Sequence, residues 1–208
     1  MRTSINRFRI SKKSMNYKLT ILITTLNSRS EKLKGLVDDI NYQIQSKPVE
    51  LIWLGDNKSM TVGEKRNHLL SMAHGEFISY IDDDDSIASN YIDIILSAIN
   101  NNPNKSVICF RGEQTTDGSK DCPFQYNIKF GRNHKDQING VRWKLMLPDH
   151  LCVWKKSNIH EKFPNKNMGE DHDWARQMAM HYNEGDQVLL EETLYHYQSN
   201  KLESECRK

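Results

Sequence analysis

Three short apolar runs bounded by polar residues, Tyr17–Thr24, Val49–Leu54 and Phe77–Ile81, carry the pattern of buried β-strands. Between the first two, Leu33, Leu36, Val37, Ile40 and Ile44 recur at three- and four-residue spacing, and Ser28 with Glu31 has the spacing of a capping box. Between the second and third, Thr61 and Glu64 repeat that spacing, and Leu69, Leu70 and Ala73 form an apolar face that Gly75 is expected to end. A helix over about 89–101 and a strand over 106–110 follow. From 112 to 140, scattered Gly, Asn and Asp predict loops. Beyond them come a strand at Leu151–Trp154 and a helix from about Glu170 to Tyr182, with Trp174, Met178 and Tyr182 on its apolar face. Strand and helix alternate, so the expected fold is a single Rossmann-like α/β domain with a mostly parallel central sheet flanked by helices. Ligands of such sheets bind at the carboxyl ends of the strands, which directs attention to Thr25-Leu26-Asn27, Gly55-Asp56-Asn57-Lys58 and Asp82–Asp85.

Composition narrows the classes. With 208 residues, 37% hydrophobic and 27% charged, the chain suffices for one domain with a core. No apolar run approaches the roughly 18 residues of a membrane span, and neither a span nor a secretory signal is expected. Cys109, Cys122, Cys152 and Cys206 are scattered without a C-x-x-C pair, which fits reduced thiols and a cytoplasmic location. A net charge of +2 argues for no partner. Residues 1–17 form a basic, flexible leader: Arg2, Arg7, Arg9, Lys12 and Lys13, with Lys18 just beyond, and no acid among them.

The densest chemistry is Asp82-Asp83-Asp84-Asp85, directly after an apolar strand. Four adjacent carboxylates repel one another unless a cation neutralises them, and oxygen ligands suit Mg²⁺ or Mn²⁺ bridged to a diphosphate. Asp56, at the same sheet edge, has the chemistry to accept from a base N–H or a ribose hydroxyl, although Asp is also a common turn residue. Arg66 and Asn67 lie one turn into the helix begun by Thr61, within reach of a base or phosphate. A second acidic group, Glu170-Asp171-His172-Asp173, opens the last helix, where acids also serve as dipole-complementing residues. A carboxylate held there, apart from the metal, can act as general base on a hydroxyl. His196 is a candidate for the metal shell, His150 precedes the Leu151–Trp154 strand, and Trp143 and Trp154 are candidate ligand-stacking faces, whereas Trp174 belongs to the core.

Thr24-Thr25, Gly55-Asp56-Asn57, Lys65-Arg66-Asn67, the run from Gly75 through Asp85, and Gly169-Glu170-Asp171 together resemble glycosyltransferase family 2, in order over about residues 18–200. The resemblance implies a metal-dependent GT-A domain that takes a nucleotide-sugar donor, most simply a uridine one, and inverts the anomeric carbon. It divides the domain at 18–208 into a nucleotide-sugar half, 18–111, and an acceptor half, 112–208. It implies donor contacts from Thr24, Thr25, Asn27, Asp56, Arg66, Asn67, Asp82 and Asp83, with Asp82 and Asp84 as a D-x-D motif. Asp84 would hold Mn²⁺ or Mg²⁺, with Asp85 and His196 as further candidate metal ligands. Asp171 would be the base, with Glu170 beside it. The fourth aspartate departs from the pattern and leaves the ligand open between Asp84 and Asp85. The Q-x-x-R-W segment of processive synthases is absent, which argues for single sugar transfer. The acceptor stays open among a saccharide, a lipid-linked sugar, a protein and a modified DNA base. A nucleotidyltransferase remains an alternative, though Thr25-Leu26-Asn27-Ser28 is not its Gly- and Lys/Arg-rich loop. A non-catalytic nucleic-acid-binding module is a second alternative, for which the leader is the support.

Overall fold

A computed structural model describes residues 4–8 and 16–199. The parallel centre of the sheet is β2 (Leu19–Leu26) between β3 (Val49–Asp56) and β4 (Phe77–Tyr80), with β1 (Ser4–Phe8) antiparallel along the outside of β3. Within the basic leader, 4–8 therefore lie along the sheet edge, and 9–15 lie outside the described residues. Every residue of β2 is buried, as its unbroken apolar run requires of a strand covered on both faces.

Helix α1 (Ser30–Ile44) connects β2 to β3, and α2 (Val62–Met72) returns past β2 to β4. Because right-handed crossovers running in opposite directions land on opposite faces, the chain reverses at β2, and the crevice at its carboxyl end becomes the place for a site. Helix α3 (Tyr91–Asn101) packs with α1, and α4 (Glu170–Ala179) packs with α2. Past β4 the sheet is mixed. Short β10 (Val153–Lys155) runs antiparallel between β4 and β6 (Val107–Thr116), followed by β7 (Ser119–Tyr126), β9 (Val141–Met146) and β8 (His134–Ile138). A two-residue strand β5 (Ser86–Ile87) pairs with β11 (Gln187–Ser199), which also runs parallel to β6. The result is a single α/β domain whose parallel core is extended by antiparallel strands and flanked by helices.

Four local expectations are corrected. The segment from 112 to 140 holds two hairpins instead of loops: Asp117-Gly118 joins β6 to β7 and Asn139-Gly140 joins β8 to β9, all four residues at positive φ. Asp-Gly and Asn-Gly are the dipeptides that two-residue hairpin turns demand. Ser28 lies within a 3₁₀ turn, Asn27–Arg29, so α1 begins at Ser30 with no side-chain cap and the Ser28–Glu31 box does not form. The Thr61–Glu64 box does form, with both reciprocal hydrogen bonds. Gly75 lies beyond the end of α2 and serves a close approach instead of a cap: a Cβ there would meet the Thr20 backbone nitrogen at 2.5 Å. Helix α4 stops at Ala179, short of Tyr182.

Candidate active site

The capped start of α2 turns Lys65 and Arg66 into the protein. Lys65 is fully buried, its Nζ donating to the Thr25 carbonyl at 3.0 Å and to Asp56 Oδ1 at 3.2 Å. Arg66 spans the domain: Nη2 pairs with Asp82 Oδ1 at 3.0 Å and Nη1 with Glu170 Oε1 at 2.9 Å, while its guanidinium lies over the Tyr80 and Phe163 rings. Burial opposes the charge on Arg66, but Asp82, Glu170 and Asp171 outweigh it and keep the guanidinium protonated. One buried cation thus joins the loop after β4 to the start of α4.

The four aspartates take different environments. Burial raises the Asp82 carboxyl, yet Arg66 and the His150 imidazole, whose Nε2 is 3.3 Å from Oδ2, hold it well below the usual range. Asp83 pairs with Arg29 Nη1 at 2.7 Å and accepts from Thr25 Oγ1, and burial pushes it up to about 6 against both. Asp84 meets Arg29 Nη2 at 2.5 Å. Asp85 turns away from its neighbours: its Oδ2 accepts from the Tyr195 hydroxyl and its Oδ1 from the Gln198 N–H, each at 2.7 Å. Arg29 and Arg66 supply counter-charge to this run from within the chain.

These elements open onto a cleft of about 750 Å³, lined on one side by Thr24, Arg29, Arg66 and Asp82–Asp84, and on the other by Asp149, His150 and Gly169–His172. Gly169, at φ 71°, gives the backbone turn that sets α4 into this wall. Glu170 is buried against Arg66, whereas Asp171 faces the cleft with about a quarter of its side chain exposed. Burial raises Asp171, but His172, His150 and Arg66 outweigh it and keep it ionised through the neutral range. Asp149 accepts from the Tyr126 hydroxyl at 3.2 Å and the Leu151 N–H at 2.9 Å. The ligand atoms of Asp149, His150 and Asp171 lie within 4.8 Å of one another.

Of the residues singled out in the sequence, Thr24, Arg66, Asp82, Asp83, Asp84, Glu170 and Asp171 share the cleft wall. Thr25 stands behind it, on Asp83. Asp56 is buried outside it, both oxygens engaged by Lys65, Ser59 and the Met60 N–H, and Asn67 clasps the Phe163 backbone through both ends of its amide. Asn27 is exposed on its 3₁₀ turn. His196 does not line the cleft: strand alternation that turns Tyr195 and Tyr197 toward the acidic loop turns His196 to the other face. Trp154 is buried against Trp174 and Tyr182, which removes it as a stacking platform, and Trp143 lies outside the cleft beside Arg111. Arg29 and Asp149 were not legible as site residues. A basic residue just past β2 was the available signal for the first, and Asp149 had none beyond its place beside His150.

A doubly wound crevice, an acidic loop at the end of a parallel strand and a facing acidic helix start are the features of a GT-A-like domain. The chain belongs to glycosyltransferase family 2, whose model, Glycosyl transferase family 2, matches residues 16–146. Among solved structures it is similar to residues 1–349 of TarS from S. aureus in complex with UDP-GlcNAc, at 14% identity and a TM-score of 0.62, covering 90% of this chain and 60% of that one. It is also similar to the mannosyltransferase PcManGT from Pyrobaculum calidifontis in complex with GDP-Man and Mn²⁺, at 11% identity and a TM-score of 0.54, covering 88% and 57%. The chain thus spans about 60% of the TarS 1–349 chain and of PcManGT, and 36% of the longer TarS chain. Comparison with curated protein sequences gives no match. No helix among the described residues is long and apolar enough to cross a membrane.

Proposed function

We propose that this chain transfers a sugar from a nucleoside diphosphate sugar, a uridine one, to an acceptor hydroxyl, with inversion at the anomeric carbon. The observation that carries the reading is the Asp82–Arg66–Glu170 bridge, which draws the acidic loop and the start of α4 to one cleft. An in-line displacement needs that opposition, with the leaving diphosphate on one side and the attacking oxygen on the other. The nucleotide sugars held by the two similar structures support the donor class. Reduced Cys109, Cys122 and Cys152 are consistent with work in the cytoplasm.

On the donor side, Asp82 is fixed by Arg66 and His150, and Thr25 and Arg29 fix Asp83. Asp84, the most exposed of the three aspartates that line the cleft, with 31% of its side chain exposed, would hold Mn²⁺ or Mg²⁺, to which carboxylate and diphosphate oxygens are suited. A cation so bound supplies charge neutralisation for the departing diphosphate. Arg29 adds a second positive group at the same mouth. On the acceptor side, ionised Asp171 takes the hydroxyl proton as the new bond forms, and Glu170, locked on Arg66, fixes the helix turn that aims it.

A screen of nucleotide sugars for hydrolysis and transfer, with and without Mn²⁺, tests this. At least one nucleotide sugar is expected to be consumed, with activity lost on exhaustive chelation and restored by Mn²⁺. Full activity after chelation would remove the metal from the reading. Indifference to every nucleotide sugar would remove the function.

A further inference from the structure

We infer that Asp149, His150 and Asp171 form a second cation site, beside the acidic run and joined to it through His150 and Asp82 but with its own ligand set, selective for a first-row transition ion such as Zn²⁺ or Co²⁺. The three ligand atoms lie within 4.8 Å of one another, so a contraction of at most about 1.4 Å brings them to the roughly 3.4 Å separation that donors about 2.1 Å from a tetrahedral ion adopt. Two carboxylates alone would be only an acidic pair. What points to a ligand is His150: it is 3% exposed, and its Nδ1 is buried without a hydrogen-bond partner, 3.9 Å from Asp149 Oδ1. A buried ring nitrogen normally finds a partner, and leaving it unmet costs about 1–3 kcal/mol.

The surroundings match those of a metal-bound imidazole. The other nitrogen, Nε2, faces Asp82 Oδ2 at 3.3 Å; the flanking carboxylates favour a protonated ring, and an ion would displace the proton on Nδ1 while the Nε2–H still donates to Asp82. Asp149 is oriented in turn by the Tyr126 hydroxyl and the Leu151 N–H. The nitrogen donor separates this site from the oxygen-only set at Asp84 and favours Zn²⁺ or Co²⁺ over Mg²⁺. An ion there occupies the Asp171 lone pair, so, on the reading of Asp171 as base, it withholds that base from the acceptor.

The test titrates Co²⁺ alone into nucleotide-free protein, following visible absorption and calorimetry, in the wild type, Asp84→Asn, His150→Gln and Asp171→Asn, with circular dichroism as the check on folding. The wild type and Asp84→Asn are expected to bind Co²⁺ with the spectrum of a nitrogen-ligated ion. His150→Gln and Asp171→Asn are expected to bind at least about 100-fold more weakly, more than loss of an outer partner costs. Should His150→Gln misfold, part-exposed Asp171→Asn carries the comparison. Binding that survives in a folded Asp171→Asn, or that disappears in Asp84→Asn, would overturn the site. Zn²⁺ added to Mn²⁺-supported transfer then separates the two readings: inhibition supports both, and unimpaired transfer at a filled His150-dependent site upholds the site while overturning Asp171 as base.

Discussion

The two walls of the cleft are both acidic, yet they handle charge in opposite ways. The run after β4 concentrates four carboxylates in four residues, and each has a partner within the chain: Arg66 and His150 for Asp82, Arg29 for Asp83 and Asp84, Tyr195 and Gln198 for Asp85. The opposite wall gathers Asp149 and Asp171 from distant parts of the sequence beside His150, whose Nδ1 has no hydrogen-bond partner. Charge density along a chain is therefore a poor guide to unmet charge in space. The acidic loop is prearranged by arginines, and the sparser cluster is the one left with an unpartnered nitrogen.

The sharpest break of this comparison is Asp171→Asn, which keeps shape and removes the proposed base. Single-turnover transfer at saturating donor is expected to fall by about 10²–10⁴, with donor affinity by calorimetry unchanged. Near-wild-type transfer would make the acceptor wall a helix start and nothing more. Next in size is Arg66→Leu. Deleting the cation leaves Asp82 and Glu170 buried without it, so denaturant unfolding should register a loss of about 3–5 kcal/mol. A loss below about 1 kcal/mol would mean that the walls are held together by other contacts.

Asp83 gives a pH signature. Its folded pKa of about 6 lies above the ordinary 3.8, so the stability it contributes is complete below about pH 4 and is lost as pH rises through about 6. Asp83→Asn abolishes that titration. The difference in unfolding free energy between variant and wild type should shift in the variant's favour by about 1–3 kcal/mol between pH 4 and 7, without added divalent ions. A difference independent of pH would show that Asp83 titrates normally. The smallest effect is expected for Arg29→Ala, which uncovers Asp83 and Asp84: Mn²⁺ binding should tighten by about fivefold, the scale of one part-exposed ion pair, while donor binding weakens. Calorimetry of both ligands reads the two signs, and weaker Mn²⁺ binding would contradict Arg29 as the stand-in cation.

What the sequence discloses follows the range of the interaction. Strands β2, β3 and β4 and the Thr61–Glu64 cap are written in neighbouring residues, and so they are legible. The hairpins β6–β7 and β8–β9 carried a local sign as well, in Asp117-Gly118 and Asn139-Gly140, but the polar residues around those turns mask the strands on either side. Strand β11 alternates irregularly and breaks register near Thr193, which leaves no clean period to detect. Arg29 meets aspartates 54 and 55 residues away, and Asp149 meets Asp171 across a loop and a helix start, so neither pairing has a spacing rule. Asp56 illustrates the converse: its position at a strand end marks it for ligand binding, while its oxygens are taken by its own turn and Lys65.

The clasp of β11 on the acidic loop has a consequence for the order of assembly. The Tyr195 hydroxyl receives the Asp82 N–H and donates to Asp85, contacts separated by 113 and 110 residues, and Gln198 adds a third from the same strand. Closing loops of that length is slow relative to forming the local helices. As the chain emerges from the ribosome, β2, α1 and β3 can associate while the four aspartates still lack their far anchor. The acidic loop therefore takes its final shape only after the last described strand docks, and a nascent chain stopped before Tyr195 carries the acidic run without its far anchor.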